Sequence, residues 1–562
     1  MRNIRNMKNM KKTIDQFVLK SITLALASVC GLAAAQTSPT GAVQRSVEEA
    51  QSKLPPKPAA KAINTDLADL SSVPSFDRLD GVEVKGELLR PEIQAYMRRF
   101  AGKPVSGEDL ILFKSWVNEK AKSQGFMAYA ITEAKGNTLL VSLVLPRINT
   151  IKIFAKDQAL ANLYLKDLSA RFEADFKPGM QVDIQSLEQK LDAVSFSMPL
   201  ELDVTIRSAG PELLDLVVNV AEGPKQTGQV LGGLVQLNNY GLSQFGPAQV
   251  LGQLTIGGHA ASSRLALTGQ KSNGISYARS DYDMPLEWFD GRLHAGIGSS
   301  QSEGVRGGQA NAKSTSVDAV VGLEKLLGFQ RDVVFKGVAD VATRQSHSNL
   351  SSTGAELNRV TDHQLRLRVT ADNERLSREP MRVEAGVTVG NYATLLNLPN
   401  ISQGNYSKID FSARKQFNLS EDGQIFSLVK VRGQRTNKHL DGTNQMSLGG
   451  ANGVRAYSTA DGLGDDALLT TLELNYKNQP NQSFGVFYDG GLVRPSKTQV
   501  SGVYNGTYTL QALGVQSSGN VNGFYYNLTL AKGIGGNKGA LPTDMESQPN
   551  NWRLGVSLTS TF

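Results

Sequence analysis

The chain has 562 residues, a formal charge of +7, 40% hydrophobic residues, 20% charged residues and 55 glycines. That length exceeds one ordinary globular core. So small a charge excludes the basic footprint of a nucleic-acid-binding protein. Beyond the N-terminus no apolar run reaches the roughly 18 residues a helical membrane span needs. Glycine-rich, moderately polar, alternating sequence fits a transmembrane β-barrel, whose strands are apolar on one face only.

Residues 1–35 read as a signal peptide. Arg2, Arg5, Lys8, Lys11 and Lys12 form a basic region, 17–35 is mostly apolar, and Ala33-Ala34-Ala35 fits small-residue cleavage after Ala35. The single cysteine, Cys30, lies inside this segment, and Val29 before it is a poor match to a lipid-attachment site. Cleavage after Ala35 leaves a chain with no thiol to mispair in an oxidising compartment. Export without a spanning helix points to the periplasm or outer membrane of a Gram-negative bacterium.

Residues 36–75 are polar. Val43, Val47, Ala50 and Leu54 would share one stripe of a short helix. Pro55-Pro56-Lys57-Pro58 then gives a stiff, extended linker. From 76 to 146 the order reads strand, helix, helix, strand, strand. Pro91 opens the first helix. Ser106 caps the second, with Asp109 in its first turn and Leu110, Phe113, Val117 and Ala121 on one face. The same order recurs over 147–223, with a strand at 148–153, helices at 159–172 and 182–193, and strands at 201–206 and 213–220. Two similar units of this size form an internal repeat.

From Pro224 helical periodicity gives way to about sixteen alternating segments, from 228–240 through 423–441 to 551–562. In the last, Trp552, Leu554, Val556, Leu558 and Phe562 share one face, and Arg553, Gly555, Ser557, Thr559 and Thr561 the other. Polar stretches at 346–361 and 401–407 read as outer loops.

An inserted loop is expected at 442–466, around Leu448-Gly449-Gly450-Ala451-Asn452-Gly453-Val454-Arg455-Ala456-Tyr457. Its glycines allow close backbone packing and positive φ. Further on, Phe487, Asp489 and Gly491 alternate onto one face of a strand-like segment. Asp489 would then point into a polar lumen, where the loop could bring Arg455 to it.

These two stretches resemble the two-partner secretion transporters, or hemolysin secretion/activation proteins. That family carries a loop motif close to Leu-Gly-Gly-x-x-x-Val-Arg-Gly-Tyr and a partner motif Phe-x-Asp-x-Gly, in this order. Gly449, Gly450, Val454, Arg455 and Tyr457 match the first, and Phe487, Asp489 and Gly491 the second. Ala456 departs, standing where the family usually has glycine. The resemblance implies a 16-stranded transmembrane β-barrel over 224–562, preceded by two periplasmic α+β POTRA domains at 76–146 and 147–223. Gly125-Phe126 after the long helix fits the POTRA pattern. It also implies a plug helix before the linker, an Arg455–Asp489 lumen pair, and Phe562 as the signal read by the barrel-assembly machinery.

The implied partners are a secreted client exoprotein and outer-membrane lipids. No enzyme, cofactor or metal is expected. No phosphate-cradling loop or Gly-x-Ser-x-Gly elbow occurs, and His259, His294, His347, His363 and His439 lack metal-ligand spacing; most fall at strand ends or in loops, and they read as solvated. An ATP-independent transporter is therefore the expectation. A barrel-assembly factor of the same superfamily, a porin-like channel and an adhesin remain as alternatives.

Overall fold

A computed structural model describes residues 43, 47, 64–66 and 73–562, except 125, 156–157, 198–199, 211, 223–230, 258–262, 306–311, 331–332, 352, 355, 374–378, 395–402, 421, 480–481, 498–505, 535–546 and 548–549. The expected signal peptide with Cys30, and most of the expected plug helix and linker, lie outside the described residues.

The first α+β unit packs helices Arg90–Met97 and Gly107–Ser123 on a sheet ordered Gly81–Lys85, Thr138–Val144, Tyr129–Lys135. The expected stripe of Leu110, Phe113, Val117 and Ala121 is wholly buried. Ser106 and Asp109 cap the long helix reciprocally: the Ser106 N–H donates to Asp109 Oδ2 at 2.9 Å, and the Asp109 N–H to Ser106 Oγ at 3.2 Å. These bonds hold the Asp109 carboxyl below the usual carboxylate range.

The second unit repeats the order with strands Arg147–Ala155, Leu200–Gly210 and Leu213–Glu222 and helices Gln158–Asp175 and Ile184–Ser197. Its core gathers Phe172, Leu187, Ile206, Leu216 and Val218. A fourth strand, Asn64–Asp66, pairs in parallel with Thr205–Arg207. Part of the expected linker is therefore sheet. Three residues satisfying the open edge of Leu200–Gly210 carry no periodic signal of their own. The unit touches one rim of the barrel: Arg292 Nη1 donates to the Phe196 carbonyl at 3.2 Å, and Arg171 meets Asp290 at 3.3 Å.

Sixteen strands close the barrel, each antiparallel to its neighbours. They are β1 (Leu231–Asn238), β2 (Gln249–Gly257), β3 (Arg264–Lys271), β4 (Ile275–Leu286), β5 (Gly291–Glu303), β6 (Ala312–Gln330), β7 (Val333–Leu350), β8 (Glu356–Asp372), β9 (Met381–Thr394), β10 (Gly404–Asn418), β11 (Ile425–Thr436), β12 (Asp466–Gln479), β13 (Gln482–Arg494), β14 (Tyr508–Val521), β15 (Phe524–Gly533) and β16 (Trp552–Thr561). Alternation sorts the two faces. Leu365, Leu367 and Val369 of β8 and Leu472 and Leu474 of β12 stand outward, while Gln364, Thr370, Thr471, Glu473 and Asn475 are buried within. The last strand follows the same rule, with Trp552, Leu554 and Leu558 exposed outward and Ser557 and Thr559 buried. The seam is short. Ser557–Thr561 pairs with Leu234–Asn238, and the Phe562 and Gly233 backbones exchange bonds of 3.0 and 2.9 Å. The Asn239 amide spans beyond it, donating to the Leu554 carbonyl and accepting from the Val556 N–H, each at 2.8 Å.

Val43 and Val47 are helical and buried, and Val43 packs with Leu242, Phe245 and Ile275 of the barrel.

Several expectations need correction. Residues 346–350 and 356–361 belong to β7 and β8, and 404–407 to β10, so those outer loops are shorter than their polar composition indicated. Ser346 and Ser348 there are buried on the inner face, and polar residues at the alternate positions carry the strands beyond the apolar belt. The strand expected over 423–441 ends at Thr436, so the inserted loop runs 437–465. Asp465 turns the chain inward by accepting from the Leu440 N–H at 3.0 Å. The histidines are not simply solvated. His294, within β5, bonds Asp340 at 2.6 Å; His347 is buried; His439 is buried and bonds Asp465 at 2.9 Å. His363 sits inside β8 against Thr343 at 3.0 Å, and His259 lies outside the described residues.

Candidate functional site: the inserted loop on the lumen wall

The loop leaves β11, folds into the barrel and rejoins β12. Its tip is a tight turn. The Val454 N–H donates to Leu448 at 2.6 Å, Gly453 to Gly450 at 3.0 Å, and Gly450 to the Tyr457 carbonyl at 2.9 Å. Glycine is required where backbone meets backbone. A Cβ on Gly449 would lie 1.9 Å from the Ser458 carbonyl oxygen, and one on Gly453 equally close to that of Leu448. Gly450 takes φ 104, a conformation costly for other residues. Ala456, the departure from the family motif, has no positive φ and is buried, so alanine is accommodated there. Leu448, Val454, Ala456 and Tyr457 press onto Leu469, Phe487, Val493, Leu510 and Ala512 of the wall. Gly491 leaves room for the Leu448 side chain.

That apolar seat delivers Arg455 to β13. Its Nε donates to Asp489 Oδ2 at 2.9 Å and its Nη2 to Oδ1 at 2.8 Å, a bidentate pair. The Arg455 backbone N–H adds a bond to Oδ2 at 3.1 Å, and Thr471, opposite Asp489 on β12, adds one to Oδ1 at 2.9 Å. The Arg455 and Asp489 side chains are 3% and 0% exposed, so neither charge is compensated by bulk water. The guanidinium carbon also lies 3.3 Å from the Phe487 ring centroid. The Phe487 ring is seated over Gly514, where a Cβ would come within 2.3 Å of it. Aromatic, carboxylate and small residue at alternate positions thus form one receptor: ring beneath the guanidinium, carboxylate at its edge, space for the loop.

Three further partners carried no motif. Arg455 Nη1 reaches Glu473 Oε1 at 3.1 Å and Gln516 Oε1 at 2.8 Å, and Lys430 meets Glu473 at 2.9 Å. The available signal was alternation on β12, which puts Thr471, Glu473 and Asn475 on the same inward face. Arg553 of β16 donates to the Tyr457 carbonyl, and Asp461 accepts from the Ser458 and Ser547 N–H groups at 2.9 and 3.0 Å. Phe562 lies apart, at the seam, 61% exposed on the outer face.

Such a site can bind and hold. The groups around Arg455 are acceptors already engaged by donors, with no nucleophile set against a general base. What the arrangement offers is a docked loop whose release would change the lumen.

Residues 259–517 match the family model described as haemolysin secretion/activation protein ShlB/FhaC/HecB. Among solved structures, CdiB from Escherichia coli aligns with a TM-score of 0.55 at 15% identity, covering 92% of this chain and 96% of that one. CdiB from Acinetobacter baumannii aligns with a TM-score of 0.53 at 15% identity, covering 93% and 98%. BamA from Haemophilus ducreyi lacking POTRA domains 1–3 aligns at 0.49 and 13% identity, covering 87% and 100%. At 15% identity the likeness to the two CdiB structures is one of fold. No curated protein matches the sequence.

Proposed function

We propose that this chain, which belongs to the haemolysin secretion/activation protein family of two-partner secretion transporters, serves one dedicated exoprotein, an adhesin or hemolysin-like client, and passes it unfolded through the barrel to the cell surface. The observation that carries the reading is the buried Arg455–Asp489 pair at the tip of a loop folded into a closed barrel. A diffusion pore needs no such device.

In this reading the units at 76–146 and 147–223 are periplasmic POTRA domains that receive the client. Their open sheet edges, such as 149–155 beyond the pairing of Arg147 and Ile148 with 179–181, offer N–H and C=O groups to an extended segment. Val43, helical and packed with Leu242, Phe245 and Ile275, serves as part of a plug. The lumen wall away from the loop supports passage of an unfolded chain. Arg279–Asp318 at 2.5 Å, Arg366–Asp340 at 3.4 Å and Arg368–Glu384 at 3.1 Å make a charged, internally paired surface with little for apolar residues to adhere to. No nucleotide is needed; folding of the client outside makes the passage one-way. Outer-membrane lipids cover the apolar belt, and the barrel-assembly machinery reads the terminus at Phe562.

Comparative proteomics of supernatant and cell surface, with and without the gene, tests the reading. Loss of one large exported protein with other outer-membrane barrels unchanged is expected. Broad loss of barrels would instead make the chain an assembly factor.

A further inference from the structure

The inserted loop is held at a second place, four strands round the barrel from Asp489. At the mouth far from the α+β units, the limb that precedes the loop tip meets β8, β9 and β10. Asp441 accepts from the Tyr392 hydroxyl, and Asn444 Nδ2 donates to Asp362 Oδ2 at 2.8 Å and to the Tyr392 oxygen at 2.5 Å. Asn444 Oδ1 in turn accepts from Gln364 at 3.0 Å. Tyr406 donates to Asp362 at 3.1 Å and stacks on Tyr392 with ring centroids 4.9 Å apart, while Arg344 balances Asp362 at 3.7 Å. Asp441, Asn444, Asp362, Tyr392 and Tyr406 are each at most 7% exposed.

Two features distinguish this cluster from ordinary lumen polarity. Its Asp441 and Asn444 bonds join the loop to the wall and exist only while the limb is in place, whereas Tyr406 and Arg344 hold Asp362 from within the wall. It is also independent of the tip: none of its residues touches Arg455, Asp489 or Glu473. Buried polar groups that find partners in only one arrangement specify that arrangement. We propose that Asp441 and Asn444, received by Asp362, Tyr392 and Tyr406, form a second latch that closes the outer mouth of the pore and must release for a client to leave. With the latch open and the tip still docked, the limb swings clear and the mouth widens. The inference rests on the transporter reading, but the latch is testable without a client.

The full-length protein is measured in planar bilayers. Tyr392→Phe with Asn444→Ala removes the hydroxyl and amide while keeping the apolar contacts of Val360 and Leu440. Large-conductance openings should rise on the order of a hundredfold or more, the shift expected for losing the four buried hydrogen bonds these side chains make with Asp441, Asp362, Gln364 and each other. The second arm uses Asp362→Cys with Asn444→Cys in a Cys30→Ser background, which has no other cysteine. A short bis-methanethiosulfonate reagent, which bridges the two thiols through disulfides and releases sulfinate, should lower conductance and stop export in cells, and reductant should restore both. The bridged arm decides the matter if the first variant does not assemble. Unchanged openings in an assembled variant, or normal export through the bridged protein, would overturn the latch. Latch-dependent conductance with no chain-dependent export would leave the latch standing and remove the transporter reading.

Discussion

Arg455→Ala should undock the loop without dismantling the barrel. The side chain removed makes two bonds to Asp489, one to Gln516, an ion pair with Glu473 and a stack on Phe487. What remains is Asp489, fully buried, with Thr471 as its one side-chain donor. Removing one member of a buried pair costs about 3–5 kcal/mol, because the survivor keeps its desolvation penalty. Each 1.4 kcal/mol is about tenfold in a population, so docking should weaken by a factor on the order of 10² to several times 10³. The barrel strands keep their ladders, since Arg455 belongs to none of them. Amide hydrogen exchange of the protein in lipid nanodiscs reads this directly. Amides of Gly450, Gly453, Val454 and Tyr457 are bonded only while the turn is formed. Their protection should fall by that factor while β8 and β9 keep theirs. Arg455→Leu with Asp489→Leu should lose less than the sum of the single changes, since no charge is stranded. Protection within about threefold of wild type in Arg455→Ala would refute the energetic reasoning, since a stranded buried charge cannot cost so little.

Gly449→Val should abolish docking through backbone collision with the Ser458 carbonyl, leaving a heat-modifiable barrel on gels but the loop exchanging as in Arg455→Ala. At the seam, Asn239→Ala removes both side-chain bonds to β16, so exchange of the Val556 amide, which donates to Asn239, should speed while β12–β13 stays protected. Phe562→Ala should lower the amount of assembled barrel in the membrane without changing the loop. In the second α+β unit, Lys152 Nζ at 2.5 Å, with Thr150 at 2.7 Å and Asn149 at 2.9 Å, holds the Asp215 carboxyl down to about 2. A depressed carboxylate stabilises the fold above its unfolded value of about 3.9, and that contribution fades as pH falls through the folded value. Asp215→Asn should therefore unfold at lower denaturant than wild type at pH 7, and the gap should close as pH drops from 4 toward 2.

What the sequence disclosed follows a physical divide. Strands of the barrel were legible because each must be apolar toward lipid and polar toward the lumen, which writes a period of two into β8, β12 and β16. Helix 107–123 was legible for the same kind of reason: one buried stripe and a cap. Arg455 and Asp489 were found because glycines and alternation marked both stretches, and the structure brings them together. Contacts without local periodicity were not legible. Asn64–Asp66 joins a strand far along the chain, and Asn444 meets Asp362 and Tyr392 across separate strands. Glu473 looked like any inward polar residue until Lys430 and Arg455 were placed beside it. The histidines were misread because isolated polar residues in an alternating strand look alike whether they face solvent or a lumen partner.

Passage of a client through the lumen is tested most directly by photo-crosslinking in cells. A benzoylphenylalanine replaces Thr388, which faces the lumen on β9, and in a second strain its outward neighbour Val387. The account predicts that light traps one exported polypeptide at position 388 and none at 387. Capture of other outer-membrane barrels, or capture of nothing at 388 while export proceeds at its normal rate, would contradict it.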